Sequence, residues 1–356
     1  MSLIMKVLVH IGYHKTGTSS LQKSLKISRS ILAENGFLYP ILDNKNQHWP
    51  LFPNFIDTPE NHHLFKSMGI KSKDINNWLQ KRIKELDEQI ASFNGHTCIL
   101  SAEDFSIIPS FLIPKFKMFL TDRFDSVKII AYIRPAEDLY CSQLQQQAKA
   151  GKNVFITFPV PGKNSSIKAK ISKYVEEFGL EQISVVKFSH DSLYEGDVVR
   201  DFFKRFIVTD DQSLMRMNLN SVYANESICG AATIALSLLS QEKFPRFIEK
   251  GQNPQWKELQ QALMQLKPSK SLPKLSLPEQ WKAIIKQNHQ EEYLWLEDTF
   301  FNGNRGIFSN LDKTDISVPE EVTREQFQEW LMSYLTPEAW QEIVLHLWKF
   351  QSERLS

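Results

Sequence analysis

Residues His10-Ile-Gly-Tyr-His-Lys-Thr-Gly-Thr-Ser-Ser-Leu-Gln22 gather the densest anion-binding chemistry in this 356-residue chain. The apolar run Lys6–Ile11 reads as a buried strand that stops at Gly12, and a helix is predicted from Thr18. A strand, a glycine turn and a helix start aim several backbone N–H groups at one point, which suits a phosphate. Lys15 puts a full positive charge inside the turn, and Thr16, Thr18, Ser19 and Ser20 add hydroxyls. Loops that hold nucleoside triphosphates read G-x-x-x-x-G-K-[ST], with the final hydroxyl on Mg²⁺. Gly12 and Gly17 keep that glycine spacing, but Thr18 stands in the lysine position and Lys15 precedes Gly17. The pattern predicts a phosphate held without a metal.

Two further segments carry candidate chemistry. Val127–Ile133 is the clearest strand, and it runs directly into Arg134 and Pro135, with Ser142 eight residues beyond the arginine. An arginine at a strand end makes forked contacts to phosphate oxygens, and a helical serine completes such a cradle. Pairing of Arg134 with Glu137 or Asp138 is the purely structural alternative. Leu100-Ser-Ala-Glu-Asp-Phe105 follows another strand. Strand carboxyl ends are where open α/β sheets bind ligands, so Glu103 is a candidate general base with Asp104 as its rival. Ser101 capping a helix, with both carboxylates in its first turn, is the structural reading of the same residues. His48, in Asn-Gln-His-Trp-Pro, is the second candidate base, and His62 and His63 lie in the same region.

His-Lys-Thr-Gly-Thr-Ser-Ser at residues 14–20, paired with a strand followed by Arg134 and Ser142, resembles the sulfotransferases that use 3′-phosphoadenosine-5′-phosphosulfate (PAPS). The resemblance covers roughly residues 5–190. It implies that Lys15, Thr16, Gly17, Thr18, Ser19 and Ser20 hold the 5′-phosphosulfate, and that Arg134 and Ser142 hold the 3′-phosphate. It implies a catalytic His or Glu on the segment before the arginine-bearing strand, where Glu103 stands. The implied reaction passes a sulfuryl group to a hydroxyl or amine of a small-molecule acceptor, with carbohydrate the preferred class, and releases 3′-phosphoadenosine-5′-phosphate. Lys15 would serve as the point charge beside the bridging oxygen. Two departures stand out. The well-known cytosolic members of this family carry a tryptophan soon after the loop threonines, where this chain has Ser20, so Phe188 becomes a candidate adenine contact. A basic glycine loop over the 3′-phosphate has one counterpart, Gly303-Asn-Arg-Gly306, with Arg305 as its contact. The competing readings are a P-loop kinase or related phosphotransferase, and a non-catalytic nucleotide-binding module.

The elements that must position these residues follow from periodicity. Strands are predicted at Lys6–Ile11, Thr97–Leu100, Val127–Ile133 and Ile183–Phe188. Helices are predicted at 18–34, 71–93, 136–150 and 165–178. Alternating β-branched runs and amphipathic helices predict an α/β fold, with a P-loop-like parallel β-sheet flanked by helices on both faces. Helical pattern dominates from Ser221 onward, so residues 1–210 read as the nucleotide-binding core and 211–356 as a largely helical C-terminal addition. Thr323 and Thr336 read as helix N-caps. Forty-two basic against 41 acidic residues give a net charge of +1, which argues against a nucleic-acid partner. Three scattered cysteines predict neither a disulfide framework nor a zinc site, and point to a reducing, cytoplasmic setting. The start of the chain reads as a strand rather than a signal peptide, and no stretch reaches 18 apolar residues, so no membrane partner is expected.

Overall fold

The computed structural model describes residues 5–43, 47–162, 166–208, 228–242, 244–248, 251–309 and 319–355. Its centre is a five-stranded, all-parallel sheet flanked by helices. The strands are β1 (Lys6–His10), β2 (Phe37–Leu38), β3 (Thr97–Ser101), β4 (Ser126–Ile133) and β5 (Ile183–Lys187), in the order β2-β3-β1-β4-β5. The helices up to residue 206 are α1 (Thr18–Ile27), α2 (Arg29–Glu34), α3 (His63–Met68), α4 (Ser72–Ser92), α5 (Ile113–Thr121), α6 (Ala136–Lys149), α7 (Val154–Thr157), α8 (Ile167–Phe178) and α9 (Val198–Phe206). Strands covered on both faces read as nearly continuous apolar runs. Ile129, Ile130, Ala131, Tyr132 and Ile133 are accordingly all buried in β4. Leu8, Ile99, Ile130, Tyr132 and Val186 pack with Leu21 and Leu25 of α1, Leu32 of α2 and Phe202 of α9. The sheet pleat turns Val7, Val9, Ile129 and Ala131 to the opposite face, and α5 and α8 pack against β4, β5 and each other.

The helix predicted over 18–34 is two helices. Ser28 interrupts it at φ −85° and ψ 9°. The second piece carries Arg29, whose guanidinium donates to the Tyr39 and Pro40 carbonyls at 3.0 and 3.1 Å. Ser101 is the last residue of β3 rather than a helix cap, and Glu103 takes the N-cap position of a short 3₁₀ turn, Asp104–Ile107. The two-residue strand β2 has no periodic signal at that length and was invisible to pattern reading.

The order of the strands places the site. From β1 the chain passes to β2 and β3 on one side, and from β4 it passes to β5 on the other. The connections therefore diverge between β1 and β4, which are hydrogen-bonded neighbours. A parallel sheet opens its ligand crevice at such a switch point, beyond the strand carboxyl ends. The loop 11–17 leaves β1 there, and Arg134 leaves β4 there.

The chain divides into two compact units. The first comprises Met1–Arg134, Ser166–Ala224 and Leu294–Phe308, and it contains the sheet. The second comprises Pro135–Ser165, Asn225–Tyr293 and Ser309–Ser356. Residues 135–165 thus fall with the helical unit and 294–308 with the sheet; the boundary expected at 210 and the helical start at Ser221 lie outside the described residues. The second unit has its own cores. Tyr140, Leu144, Ile234, Ile285 and Phe327 form one, and Cys229, Leu236, Trp256, Leu263 and Ile343 another. Thr323 caps its helix in a full capping box with Gln326, and the Thr336 hydroxyl accepts from Ala339 N–H at 3.2 Å. Among the described residues no helix is long and apolar enough to cross a membrane.

Helix α9 begins at Asp197, whose carboxylate accepts from Val199 N–H at 2.7 Å and Arg200 N–H at 3.0 Å. An N-cap of this kind contributes about 1 kcal/mol, up to about 2. Asp197→Ala should lower the unfolding free energy measured by urea titration by that amount, and Asp197→Ser should recover most of it.

Candidate functional site

The loop after β1 is shaped by two glycines and one strained lysine. Gly17 lies at φ 71°, and a Cβ there would come within 2.7 Å of Val198. A Cβ on Gly12 would meet Thr18 at 2.7 Å and the Glu103 backbone at 3.0 Å. Both positions need a residue without a side chain. Lys15 itself sits at φ 60°, a left-handed conformation that strains an ordinary residue. The Thr16 hydroxyl donates to Tyr13 O at 2.6 Å, and Thr18 Oγ1 lies 3.5 Å from the same carbonyl. These two buried hydroxyls staple the loop to itself, while Ser19 is exposed in the first turn of α1. Leu21 N–H makes the first helical bond, to Gly17 O. The N–H groups ahead of it have no carbonyl one turn back and present the positive end of the helix.

Three side chains surround this loop. Arg134 reaches it through Nη1, which donates to Lys15 O at 3.4 Å. Its guanidinium also lies 5.9 Å from the Phe188 ring centre, and Phe188 comes within 3.4 Å of where a Gly17 Cβ would stand. Glu103 accepts a hydrogen bond from His14 Nδ1 at 3.0 Å, and both side chains are about one-third exposed. Burial lowers the Lys15 pKa; the Glu103 carboxylate pulls it back up, and Arg134 pushes it down. Lys15 is therefore coupled to both. His14 was not singled out in the sequence, because a loop histidine has no periodic signal. Its hydrogen-bond partner lies 89 residues away.

His48 is placed differently. It is 1% exposed. Its Nδ1 accepts from Ser101 N–H at 2.9 Å, its Nε2 donates to Pro40 O at 2.9 Å, and its own N–H donates to Ser101 O. Both ring nitrogens are thus occupied in holding the end of β3. Ser101 also gathers Gln22, whose Nε2 donates to Ser101 Oγ at 3.0 Å, and His10, whose Nδ1 lies 2.8 Å from that oxygen. His62 is buried in a stack against Trp49, with Nε2 3.9 Å from Asp104. Trp49 and Trp256 are core residues, while Trp295 is half-buried beneath Lys168 at 5.7 Å.

Ser142 lies half-buried on α6, in the second unit. Arg305 is engaged within its own segment, with Asp298 at 2.7 Å and the Leu294 carbonyl at 3.3 Å. Those neighbours draw its guanidinium back onto the helix it follows. No group of three or more His, Cys, Asp or Glu is arranged to hold a metal ion among the described residues. No protein-family model matches the chain, and no curated protein matches it either.

Desolvation lowers the pKa of both His10 and His48 from 6.5 to about 4. The unfolded chain takes up these protons first, so the stability carried by the neutral rings is present above pH 6.5. It is lost as pH falls toward 4. Each fully buried ring accounts for on the order of 3 kcal/mol across that window. Urea unfolding at pH 7 and pH 4.5 should therefore show a steep loss. In His48→Gln the pH 7 value should be lower and the loss between the two pH values smaller.

Proposed function

We propose that this chain is a sulfotransferase that passes a sulfuryl group from PAPS to a hydroxyl or amine of an acceptor. The observation that carries the reading is the loop itself. Its lysine precedes the second glycine, and it lies at the sheet's switch point with Arg134 on one side and Glu103 on the other. Residues 15–20 would hold the 5′-phosphosulfate, Arg134 the 3′-phosphate, and Phe188 the adenine.

In the reaction the acceptor oxygen or nitrogen bonds to sulfur as the bond from sulfur to the 5′-phosphate oxygen breaks. Negative charge then builds on the departing phosphate, where a fixed cation stabilises it most. Lys15 is suited to this task because its charge is half-buried and its backbone is locked. The acceptor proton passes to Glu103, whose carboxylate is oriented by the hydrogen bond from His14. With both His48 nitrogens engaged, the base role falls to Glu103. A sugar is the acceptor class we favour, by analogy alone, and the cytoplasm the setting we favour, on cysteine usage.

Calorimetry should show tight binding of 3′-phosphoadenosine-5′-phosphate without metal, and weaker binding of ATP with or without Mg²⁺. The opposite order would replace this reading with a kinase-like one. Arg134→Ala should weaken the bisphosphate by about 2–3 kcal/mol and leave adenosine 5′-monophosphate nearly unchanged.

Glu103→Gln should keep the melting temperature and the bisphosphate affinity. Transfer from PAPS to an acceptor found by screening should slow by at least about a hundredfold. Retained turnover in a well-folded variant would remove Glu103 from the reaction.

A further inference from the structure

The turn that begins at Glu103 lacks donors of its own. Ser106 N–H and the Ser106 hydroxyl both donate to Glu103 O, at 3.2 and 2.8 Å, and Ile108 N–H donates to Phe105 O. A 3₁₀ turn continues by giving the carbonyl of residue 106 the N–H of residue 109. Residue 109 is a proline and has no N–H to give. Ser106 and Ile108 are buried, so an unmet carbonyl at either is costly. Helix α8 supplies the missing donors. Lys173 Nζ donates to Ser106 O at 3.1 Å and to Ile108 O at 2.5 Å, and the Tyr174 hydroxyl donates to Phe105 O. Two adjacent side chains of one helix thus hold three carbonyls of the segment that follows Glu103.

A lysine is a costly choice for this task. The apolar stripe of α8 is Ile167, Ile171, Val175 and Phe178, and Lys173 lies off it, where the pattern predicts solvent. It is instead only 9% exposed. No carboxylate acts on it among the described residues, and Lys170, one turn earlier, repels it. Burial, and after it the charge of Lys170, lowers its pKa to about 8. A buried ammonium without a carboxylate is unfavourable, and here the carbonyls of a single turn offset it. A methionine would fill the same space without that penalty, but Ser106 O and Ile108 O would then lack donors. The turn they belong to fixes the candidate base. Its apolar side is set by Phe105, 5.1 Å from Phe116 of α5 between ring centres. Its first residue brings the Glu103 backbone against Gly12 and the Glu103 carboxylate to His14. A shift of the turn therefore shifts Glu103 relative to Lys15.

We propose that Lys173 and Tyr174 are positioning residues that clamp this turn and so hold the Glu103 carboxylate where the acceptor proton leaves, a role that rests on the sulfotransferase reading above. Lys173→Met keeps the length and apolar bulk of the side chain and removes the ammonium. Tyr174→Phe keeps the buried ring and removes only the hydroxyl, so it carries the test if the first variant does not fold. At pH 7, amide exchange at Ser106 and Ile108 should speed up about tenfold in each variant, as expected for loss of one hydrogen bond. The amides of β1 and β4 should keep their wild-type rates. Affinity for 3′-phosphoadenosine-5′-phosphate should not change, because the hydrogen bonds of both residues go to the turn alone. The kcat for transfer from PAPS should fall about tenfold with KM for PAPS unchanged, the signature of a displaced catalytic group. In a Glu103→Gln background the same substitutions should cost nothing further, because no base is left to position. Unchanged exchange at both amides overturns the proposal. So does an equal loss of rate in both backgrounds, which marks a general structural effect, and so does wild-type turnover in a variant whose turn has loosened. A wild-type chain that transfers nothing from PAPS overturns the functional reading instead, and the exchange rates then decide the clamp by themselves.

Discussion

Ser101 joins three parts of the chain at the carboxyl end of β3. Its hydroxyl takes a hydrogen bond from Gln22 on α1 and meets His10 at the end of β1. Its backbone exchanges two hydrogen bonds with His48. All four residues are buried, and buried polar groups are stable only when their partners are in place. The strand end is therefore fixed, and Glu103 follows two residues later. The backbone of Glu103 approaches so closely that Gly12 has no room for a side chain. The phosphate-binding candidates and the candidate base are held by one rigid junction.

That junction also sets the electrostatics. The buried imidazoles stay neutral because burial penalises their charged forms. Lys15, half in solvent, keeps a neighbour of each sign, Glu103 and Arg134. A cation balanced this way is positioned without being neutralised by a fully buried pair. It places a local positive charge in a chain whose net charge is only +1. His14 adds orientation, since a carboxylate held by one hydrogen bond loses less freedom on meeting a substrate.

The second unit obeys different packing logic. Its helices bury their stripes against one another in two apolar clusters. Helix Pro337–Leu355 uses one stripe for that purpose and leaves a second, tryptophan-bearing stripe outside.

The sequence by itself determined the parallel α/β class, because runs such as Val127–Ile133 are too apolar to face water on either side. It also determined the strand–loop–helix around Lys15, whose two glycines and clustered hydroxyls are local signals, and the Thr323 cap. Tertiary structure alone decided the rest. Whether His48 faced an open cleft or a buried strand end depended on Ser101, 53 residues away. The meeting of His14 with Glu103 depended on β1 and β3 being neighbours. The break at Ser28, and the short turn that starts at Glu103 rather than at Ser101, are backbone details that a periodic apolar pattern does not record. Periodicity records which face of an element is buried. It carries no information about which distant residue a polar atom will find there.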